Sequence, residues 1–137
     1  MKTPSVLLVD NSNTRTKFML SRGGTLQPPQ RILPPGAISP PAVRRLLHGW
    51  DYQRAVLCSV VPAKADILAE SLGVPVCRLT RHARLNIRLD YPGVRTLGAD
   101  RLANALAAAR HCPLPCAAVA LGTAVTFAVF PPGADLP

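Results

Sequence analysis

Apolar and polar positions follow one another in short blocks along the first third of the chain, a pattern typical of strands joined by turns. Val6 to Val9 is an apolar run that predicts a buried strand, and Thr16 to Leu20 predicts its antiparallel partner. Gln30 to Leu33 lies within a segment rich in glycine and proline and predicts a third strand, at the edge of the sheet. Ser39, followed by two prolines, predicts the N-cap of a helix that ends near Gly49.

The next blocks alternate between strand and helix patterns. Arg54 to Val61 is an apolar, β-rich run, and Pro62 opens a helix whose apolar residues recur at helical spacing until Gly73 closes it. Val74 to Leu79 predicts another strand. Alternation of apolar with polar residues from Leu85 to Leu89 predicts a half-buried strand.

The last third of the chain contains the clearest helix pattern. Residues 98–111 are rich in alanine, with Leu102, Ala105, Leu106 and Ala109 on one face. Two apolar strands follow, Ala117 to Leu121 and Val125 to Phe130, on either side of Gly122-Thr123. The succession of strands and helices predicts an α/β fold.

Composition narrows the class of protein. The chain has 137 residues, 48% of them hydrophobic, which is enough for a globular core. No apolar run approaches the roughly 20 residues of a membrane helix, and the N-terminus lacks a signal-peptide core, so we expect a cytoplasmic protein without a membrane partner. The net charge of +9 favours anionic partners, but the few aromatic residues argue against binding of nucleic acid.

The four cysteines predict no metal site. They lie among apolar neighbours, so we expect reduced thiols in the core: Cys58, Cys77, Cys112 and Cys116. The pair Cys112 and Cys116 encloses two prolines and has no second ligand pair at zinc spacing, so zinc is disfavoured.

The segment from Asp10 to Lys17 is the first candidate for chemistry. An apolar strand ends in a carboxylate, small polar residues follow, and Arg15 and Lys17 add positive charge. A carboxylate at a strand end can hold a metal that bridges phosphates, and a turn of small residues lets backbone N–H groups approach phosphate oxygens. The alternative is a plain hairpin in which Asn and Asp tolerate left-handed backbone. From this segment alone, the plain hairpin is the commoner arrangement.

Asp100 is the second candidate. It stands at the start of the alanine-rich helix, next to Arg101. It could accept a proton from a substrate hydroxyl while Arg101 holds an anionic group, or it could simply complement the helix dipole. Gly122-Thr123 could form a second turn that faces phosphate, although an ordinary β-turn is the commoner arrangement.

Four motifs in a fixed order connect these candidates. They are "DNSNTRTK" at residues 10–17, "CSVVP" at 58–62, "DYPGVRTLGADRLANALAA" at 90–108 and "GTAVT" at 122–126. The first resembles the Asp-x-Gly-Asn-Thr-x-x-Lys opening of type III pantothenate kinases. The others resemble that family's strand-to-helix junction, its substrate segment and its second phosphate loop. The resemblance extends from residue 5 to about residue 130 and covers the N-terminal part of such an enzyme.

The resemblance implies a fold and a reaction. The fold would be RNase H-like, a mixed sheet flanked by helices, within the actin-like ATPase (ASKHA) superfamily. Residues 1–115 would form the first lobe and residues 116–137 the start of a truncated second lobe. The reaction would be ATP-dependent phosphorylation of pantothenate to 4'-phosphopantothenate, the first step of coenzyme A biosynthesis. ATP with Mg²⁺, a monovalent cation (K⁺ or NH₄⁺) and a homodimer are implied with it.

The resemblance also implies the site residues. Those expected to line ATP are Asp10, Asn11, Ser12, Asn13, Thr14, Arg15, Thr16, Lys17 and Thr123. Those expected to contact pantothenate are Tyr91, Gly98, Ala99, Asp100 and Arg101. Asp100 would be the general base for the primary hydroxyl of pantothenate.

Three positions depart from the family pattern. Ser12 stands where the family has glycine, and its side chain is expected to narrow the room for phosphate. Ala120 stands where the family has an aspartate that resembles a monovalent-cation ligand, and Ala128 replaces a second aspartate. Alanine has no side-chain oxygen, so we expect no metal ligand at Ala120.

Two other functions remain open. Because the second half of such an enzyme is missing, the chain could be a catalytically impaired fragment or pseudokinase with a binding role, and its apolar surface should be partly exposed. More remotely, an RNase H-like nuclease could place Asp10 and Asp100 around metal ions, and the positive charge would suit nucleic acid.

Overall fold

The computed structural model describes residues 3–80, 82, 83, 85, 93, 96–122 and 124–132. The chain divides into two compact units, Met1–Arg78 and Leu79–Pro137. The elements of the first unit are β1 (Ser5–Asn11), β2 (Thr16–Arg22), β3 (Thr25–Leu33), a 3₁₀ turn (Pro35–Ala37), α1 (Pro40–Leu47), β4 (Arg54–Ser59), α2 (Pro62–Ser71) and β5 (Val76–Arg78). Those of the second unit are α3 (Ala99–His111), β6 (Cys116–Leu121) and β7 (Val125–Phe130).

The first unit is built on a mixed five-stranded sheet in the order β3-β2-β1-β4-β5. β1, β2 and β3 are antiparallel neighbours, whereas β4 and β5 continue the sheet in parallel from β1. β3 contains Pro28 and Pro29 and lies at the edge, where a missing N–H disrupts no ladder to a further strand. This arrangement confirms the α/β fold with its mixed sheet and helices.

Alternation along the strands builds the core of this unit. In β1, every second residue from Ser5 to Asn11 is buried, and the apolar members of that face pack with side chains from β2, β4, α1 and α2. The buried apolar residues are Leu7, Val9, Phe18, Leu33, Val43, Leu47, Ala55, Leu57, Ala65, Leu68 and Leu72. Burial of each leucine stabilises the fold by about 1.5–3 kcal/mol, so this face fixes the register of β1.

The predicted helix limits of the first unit are confirmed in position. Ser39 is the extended N-cap residue of α1, although its side chain makes no capping hydrogen bond, and prolines fill the first turn. Gly49 and Gly73, at φ of 81° and 66°, follow α1 and α2 in the left-handed region that glycine tolerates.

Two predicted strands are shorter than expected. The run Arg54 to Val61 leaves the ladder at Ser59, where the Ser59 hydroxyl bonds the backbone of Val61 and turns the chain toward α2. The predicted strand from Val74 to Leu79 is reduced to Val76–Arg78. It begins only after Pro75, which has no N–H to donate.

The second unit contains α3 and the antiparallel hairpin of β6 and β7. α3 contacts both strands and buries Ala99, Leu102, Ala105 and Ala108, so Ala108 replaces the predicted Ala109 on the buried face. The strand predicted from Leu85 to Leu89 lies largely outside the described residues. Among the helices that the structure describes, none is long and apolar enough to span a membrane.

One face of the hairpin is apolar and exposed. We call it the outer hairpin face; its residues are Ala117, Val119, Leu121, Val125, Phe127 and Val129. Leu121 is 81% exposed and Phe127 68% exposed. An apolar surface was expected to be exposed in the chain, and this face is such a surface.

The cysteines differ from the prediction of core thiols. Cys77 and Cys112 are exposed, and Cys58 and Cys116 are only half-buried. Cys77 lies on the short edge strand β5, and Cys112 immediately follows the end of α3, which accounts for their exposure.

Candidate functional site

The turn between β1 and β2 consists of Ser12 to Arg15. The last residue pair of the β1–β2 ladder before this turn is Asn11 and Thr16. The Ser12 backbone N–H donates to the Arg15 carbonyl at 3.0 Å, and the Ser12 hydroxyl donates to the same oxygen at 2.9 Å. Asn13, Thr14 and Arg15 are exposed. The turn is therefore closed by hydrogen bonds and presents an amide, a hydroxyl and a guanidinium to solvent.

The turn forms without left-handed backbone. Among the described residues, only glycines have positive φ, so the expected left-handed Asn or Asp does not occur in this hairpin. Ser12 stands where the resemblance calls for glycine, and its side chain is used to close the turn. The conformational freedom of glycine is not required at Ser12 in this geometry.

Beneath the turn lies a buried polar cluster. Asn11 is 1% exposed and Thr16 0% exposed. The Thr16 hydroxyl donates to the Asn11 side-chain oxygen at 2.9 Å, and the Asn11 amide nitrogen donates to the Ser59 hydroxyl at 2.7 Å. The side chains of Asn11 and Thr16, both predicted to line ATP, therefore point into the protein and bond to other side chains.

Sequence reasoning missed Ser59, although it used the motif "CSVVP" that contains this residue. The alternation of side chains along β1 could have indicated the cluster, because it places Asn11 on the same buried face as Leu7 and Val9. A polar residue at the end of a buried face needs hydrogen-bond partners.

Asp10 and Lys17 are paired across the same two strands. They are opposite each other in the ladder, and the Lys17 ammonium lies 3.3 Å from the Asp10 carboxylate. Both side chains are partly exposed, at 46% for Asp10 and 38% for Lys17. Alternation places them on the opposite face from Asn11 and Thr16, so a half-exposed carboxylate and ammonium stand beside the turn.

Asp100 lies in the second unit, in the first turn of α3. It is exposed, and its carboxylate accepts the backbone N–H of Arg101 at 2.9 Å. Gly98 is the extended N-cap residue, Ala99 is buried and Arg101 is half-buried. The position suits a carboxylate because the helix N-terminus carries partial positive charge.

The remaining site predictions fall into two groups. Tyr91 and Thr123 lie outside the described residues. Ala120 and Ala128 lie on the half-buried hairpin face, opposite the outer hairpin face. Among the described residues, no group of three or more His, Cys, Asp or Glu side chains is placed to hold a metal ion.

A shallow cavity of about 580 Å³ lies elsewhere in the first unit. Its lining residues are Arg31, Leu33, Ala42, Arg45, Leu46 and His48, none of them a predicted site residue. The Arg31 guanidinium lies 4.2 Å from the ring centre of Trp50 and donates to the carbonyls of Leu46 and His48. Arg31 thus bonds carbonyl groups at the C-terminus of α1, where positive charge is favourable.

Comparison with known proteins shows which family this chain resembles. The sequence profile of a family described as type III pantothenate kinase matches residues 6–132. The type III pantothenate kinase of Akkermansia muciniphila is 46% identical over 126 residues, which make up 92% of this chain and 52% of the relative. Those of Methylacidiphilum infernorum and Chlorobaculum tepidum are 35% and 36% identical, over 89% and 92% of this chain and 45% and 50% of the relatives. The chain spans about half the length of the curated relatives it matches.

Proposed function

The chain belongs to the type III pantothenate kinase family, and from this membership we propose that it serves the ATP-dependent phosphorylation of pantothenate to 4'-phosphopantothenate. The observation that carries the proposal is the family match over residues 6–132, which includes both the β1–β2 turn and Asp100. The family has the RNase H-like fold of the actin-like ATPase superfamily. The reaction would be the first step of coenzyme A biosynthesis, in the cytoplasm.

The β1–β2 turn would receive the phosphates of ATP. Phosphoryl transfer depends mainly on positioning and on neutralisation of phosphate charge, and Lys17 and Arg15 bring positive charge to the turn. Asn13 and Thr14 are exposed there and can hydrogen-bond to phosphate oxygens.

Asp10 fits a role beside Mg²⁺. Its half-exposed carboxylate is a hard oxygen ligand at a strand end, the ligand type that Mg²⁺ takes together with phosphates. Mg²⁺ bound with ATP would neutralise phosphate charge. In this chain, Lys17 would hold the Asp10 carboxylate in place through their ion pair.

The residues present do not fit a monovalent cation at the family position. Ala120 and Ala128 offer methyl groups on the half-buried hairpin face. Cation binding needs oxygen ligands, so we assign no step to K⁺ or NH₄⁺. The same substitutions favour a second candidate function, a catalytically impaired family member with a binding role.

Asp100 would act as the general base for the primary hydroxyl of pantothenate, with Gly98, Ala99 and Arg101 beside the substrate. Tyr91 and Thr123 would complete the contacts to pantothenate and ATP. Residues 1–115 would form the first lobe and residues 116–137 the start of the second, and the working enzyme would be a homodimer. The family match gives no support to the nuclease hypothesis.

A coupled assay with MgATP and pantothenate, with and without K⁺, tests the proposal on the purified chain. Asp100→Asn should lower turnover by about 10²–10⁴-fold, the usual contribution of a general base, while the melting temperature stays unchanged. Asp66→Asn is the matched control, since Asp66 is an exposed carboxylate 2.7 Å from Arg78 in a surface ion pair.

The outcomes separate the two candidate functions. Turnover that falls with Asp100→Asn and persists with Asp66→Asn supports the kinase. A folded wild-type chain without turnover supports the impaired family member, the more so where MgATP binding is weak or absent. Equal turnover in Asp100→Asn and wild type would refute the role of Asp100.

A further inference from the structure

We propose that Asn11, Thr16 and Ser59, which we call the Asn11 clamp, are positioning residues that hold the β1–β2 turn in the geometry that receives phosphate. The clamp touches no nucleotide itself; it acts through the turn. This inference rests on the proposed function, because it takes the turn to be the phosphate site. It assigns a role to Ser59, which was not among the predicted site residues. It also changes the role of Asn11 and Thr16: they support the turn and do not contact the ligand.

The side-chain amide of Asn11 connects three strands. Its oxygen accepts from Thr16 on β2, and its nitrogen donates to Ser59 on β4, at 2.9 Å and 2.7 Å. The contact between Asn11 and Ser59 spans 48 residues of sequence. Because Asn11 and Thr16 are almost fully buried, these bonds lie in a region of low dielectric, where leaving either partner unpaired is costly.

Ser59 extends the cluster to the start of α2. Its hydroxyl accepts the Val61 N–H and donates to the Val61 carbonyl, both at 3.1 Å. The Val60 N–H also donates to the Asn11 backbone carbonyl at 3.0 Å. One hydroxyl therefore serves as donor once and as acceptor twice, which uses its full bonding capacity. Hydrogen bonds therefore connect the end of β1, the β1–β2 turn and the start of α2.

The turn depends on this support. Asn11 and Thr16 form the last ladder pair before it, and among the described residues the hydrogen bonds that close the turn itself are the two from Ser12 to Arg15. The buried amide of Asn11 also fixes the register of β1 against its neighbours. A slip of one residue would leave Asn11 without either partner. The clamp thus fixes where the exposed Asn13 and Thr14 stand relative to β4.

The test compares Ser59→Ala with Ser71→Ala. Ser71 is a buried serine at the end of α2 whose hydroxyl donates to the Ile67 carbonyl at 2.5 Å, far in sequence from the turn. Both variants lose a serine hydroxyl that hydrogen-bonds within the protein, so both should lower the melting temperature. If Ser59→Ala does not fold, Ser59→Cys replaces it, because a thiol is a weaker hydrogen-bonding group of similar shape.

Two measurements are made on each variant: hydrogen exchange of the backbone amides of Ser12 and Val60, and the dissociation constants of MgATP and adenosine. In Ser59→Ala we expect both amides to exchange about tenfold faster relative to Ser71→Ala, the effect of about one hydrogen bond. MgATP should bind about tenfold more weakly and adenosine equally well, because only phosphates meet the turn.

The outcomes are distinct. Exchange at Ser12 and Val60 equal in the two variants would overturn the clamp, whatever the nucleotide does. Faster exchange with unchanged MgATP affinity would overturn its positioning role. A folded wild-type chain that does not bind MgATP would instead refute the phosphate site of the proposed function, and with it the clamp's role in ATP binding, while the exchange data still decide whether the clamp holds the turn.

Discussion

The two units carry the same kind of apolar strand residue in opposite surroundings. Phe18 on β2 is 0% exposed beneath α1 and α2, whereas Phe127 on β7 is 68% exposed. The sheet of the first unit contributes to a closed core, while the hairpin of the second unit packs one face near α3 and leaves the outer hairpin face to solvent. Large exposed apolar patches mark interaction surfaces, so the outer hairpin face is a candidate interaction surface, whereas Phe18 belongs to a buried core.

The largest expected effect comes from exchanging a phenylalanine for alanine in each unit. Phe18→Ala should lower the free energy of unfolding by about 3–5 kcal/mol, because it empties a fully buried site. Phe127→Ala should change it by less than about 0.5 kcal/mol, because the ring is mostly in water. Urea unfolding of both variants measures the difference. Similar losses in the two variants would mean that the hairpin face is covered in solution.

The next effect concerns ligand binding to the first unit. Lys17→Met removes the ammonium of the Asp10–Lys17 pair and keeps most of the aliphatic chain. Because the pair is half-exposed, stability should change by no more than about 1 kcal/mol. MgATP affinity should fall about tenfold, measured by calorimetry, through loss of one charge-assisted contact. Lys64→Met, which removes a lysine that bonds the Pro35 carbonyl, is the matched control and should leave MgATP affinity as in wild type.

A smaller effect tests the outer hairpin face directly. The double variant Phe127→Ser with Val129→Thr should reduce binding of a hydrophobic dye and self-association in sedimentation, without loss of the folded state. The matched variant Leu26→Ser with Ile32→Thr acts on exposed apolar residues of the edge strand β3. Dye binding should fall less there, since those residues are less exposed. An equal fall in both variants would remove the contrast between the units.

The smallest effect is a pH dependence in the second unit. Burial, with a further contribution from the nearby Cys112 thiol, raises the pKa of the Cys116 thiol. The folded chain therefore holds less Cys116 thiolate at a given mildly alkaline pH than the unfolded chain does, and alkylation, which needs the thiolate, should be slower. Peptide-resolved alkylation as a function of pH should give a higher midpoint for Cys116 in the folded chain than in urea. Coincident midpoints would contradict the shift.

The elements that local patterns specify were predicted well from the sequence. A short apolar run predicted β1, with β2 as its antiparallel partner; prolines placed β3 at the edge, and Gly49 and Gly73 marked helix ends. These signals act over a few residues, so they can be read without the fold. The fold class followed from their order, and the family match bears it out.

The supporting contacts of the candidate site could not be predicted in the same way. The bond between Asn11 and Ser59 depends on the register of two parallel strands, which no local pattern encodes. The outer hairpin face was also hidden, because β6 is apolar on both faces and alternation cannot say which one is buried. The ligand roles given to Asp10, Lys17 and Asp100 remain predictions.

Amide NMR of the chain during titration with MgATP, and separately with adenosine, tests most directly whether the first unit carries the phosphate site. We predict that MgATP produces its largest shift changes in the backbone amides from Ser12 to Lys17 and at Val60 and Val61, and that adenosine leaves these amides unchanged. Saturable MgATP binding whose shifts lie elsewhere, for example around the cavity beside Arg31, would contradict a phosphate site at the β1–β2 turn. So would the absence of any shift at millimolar MgATP in a folded sample.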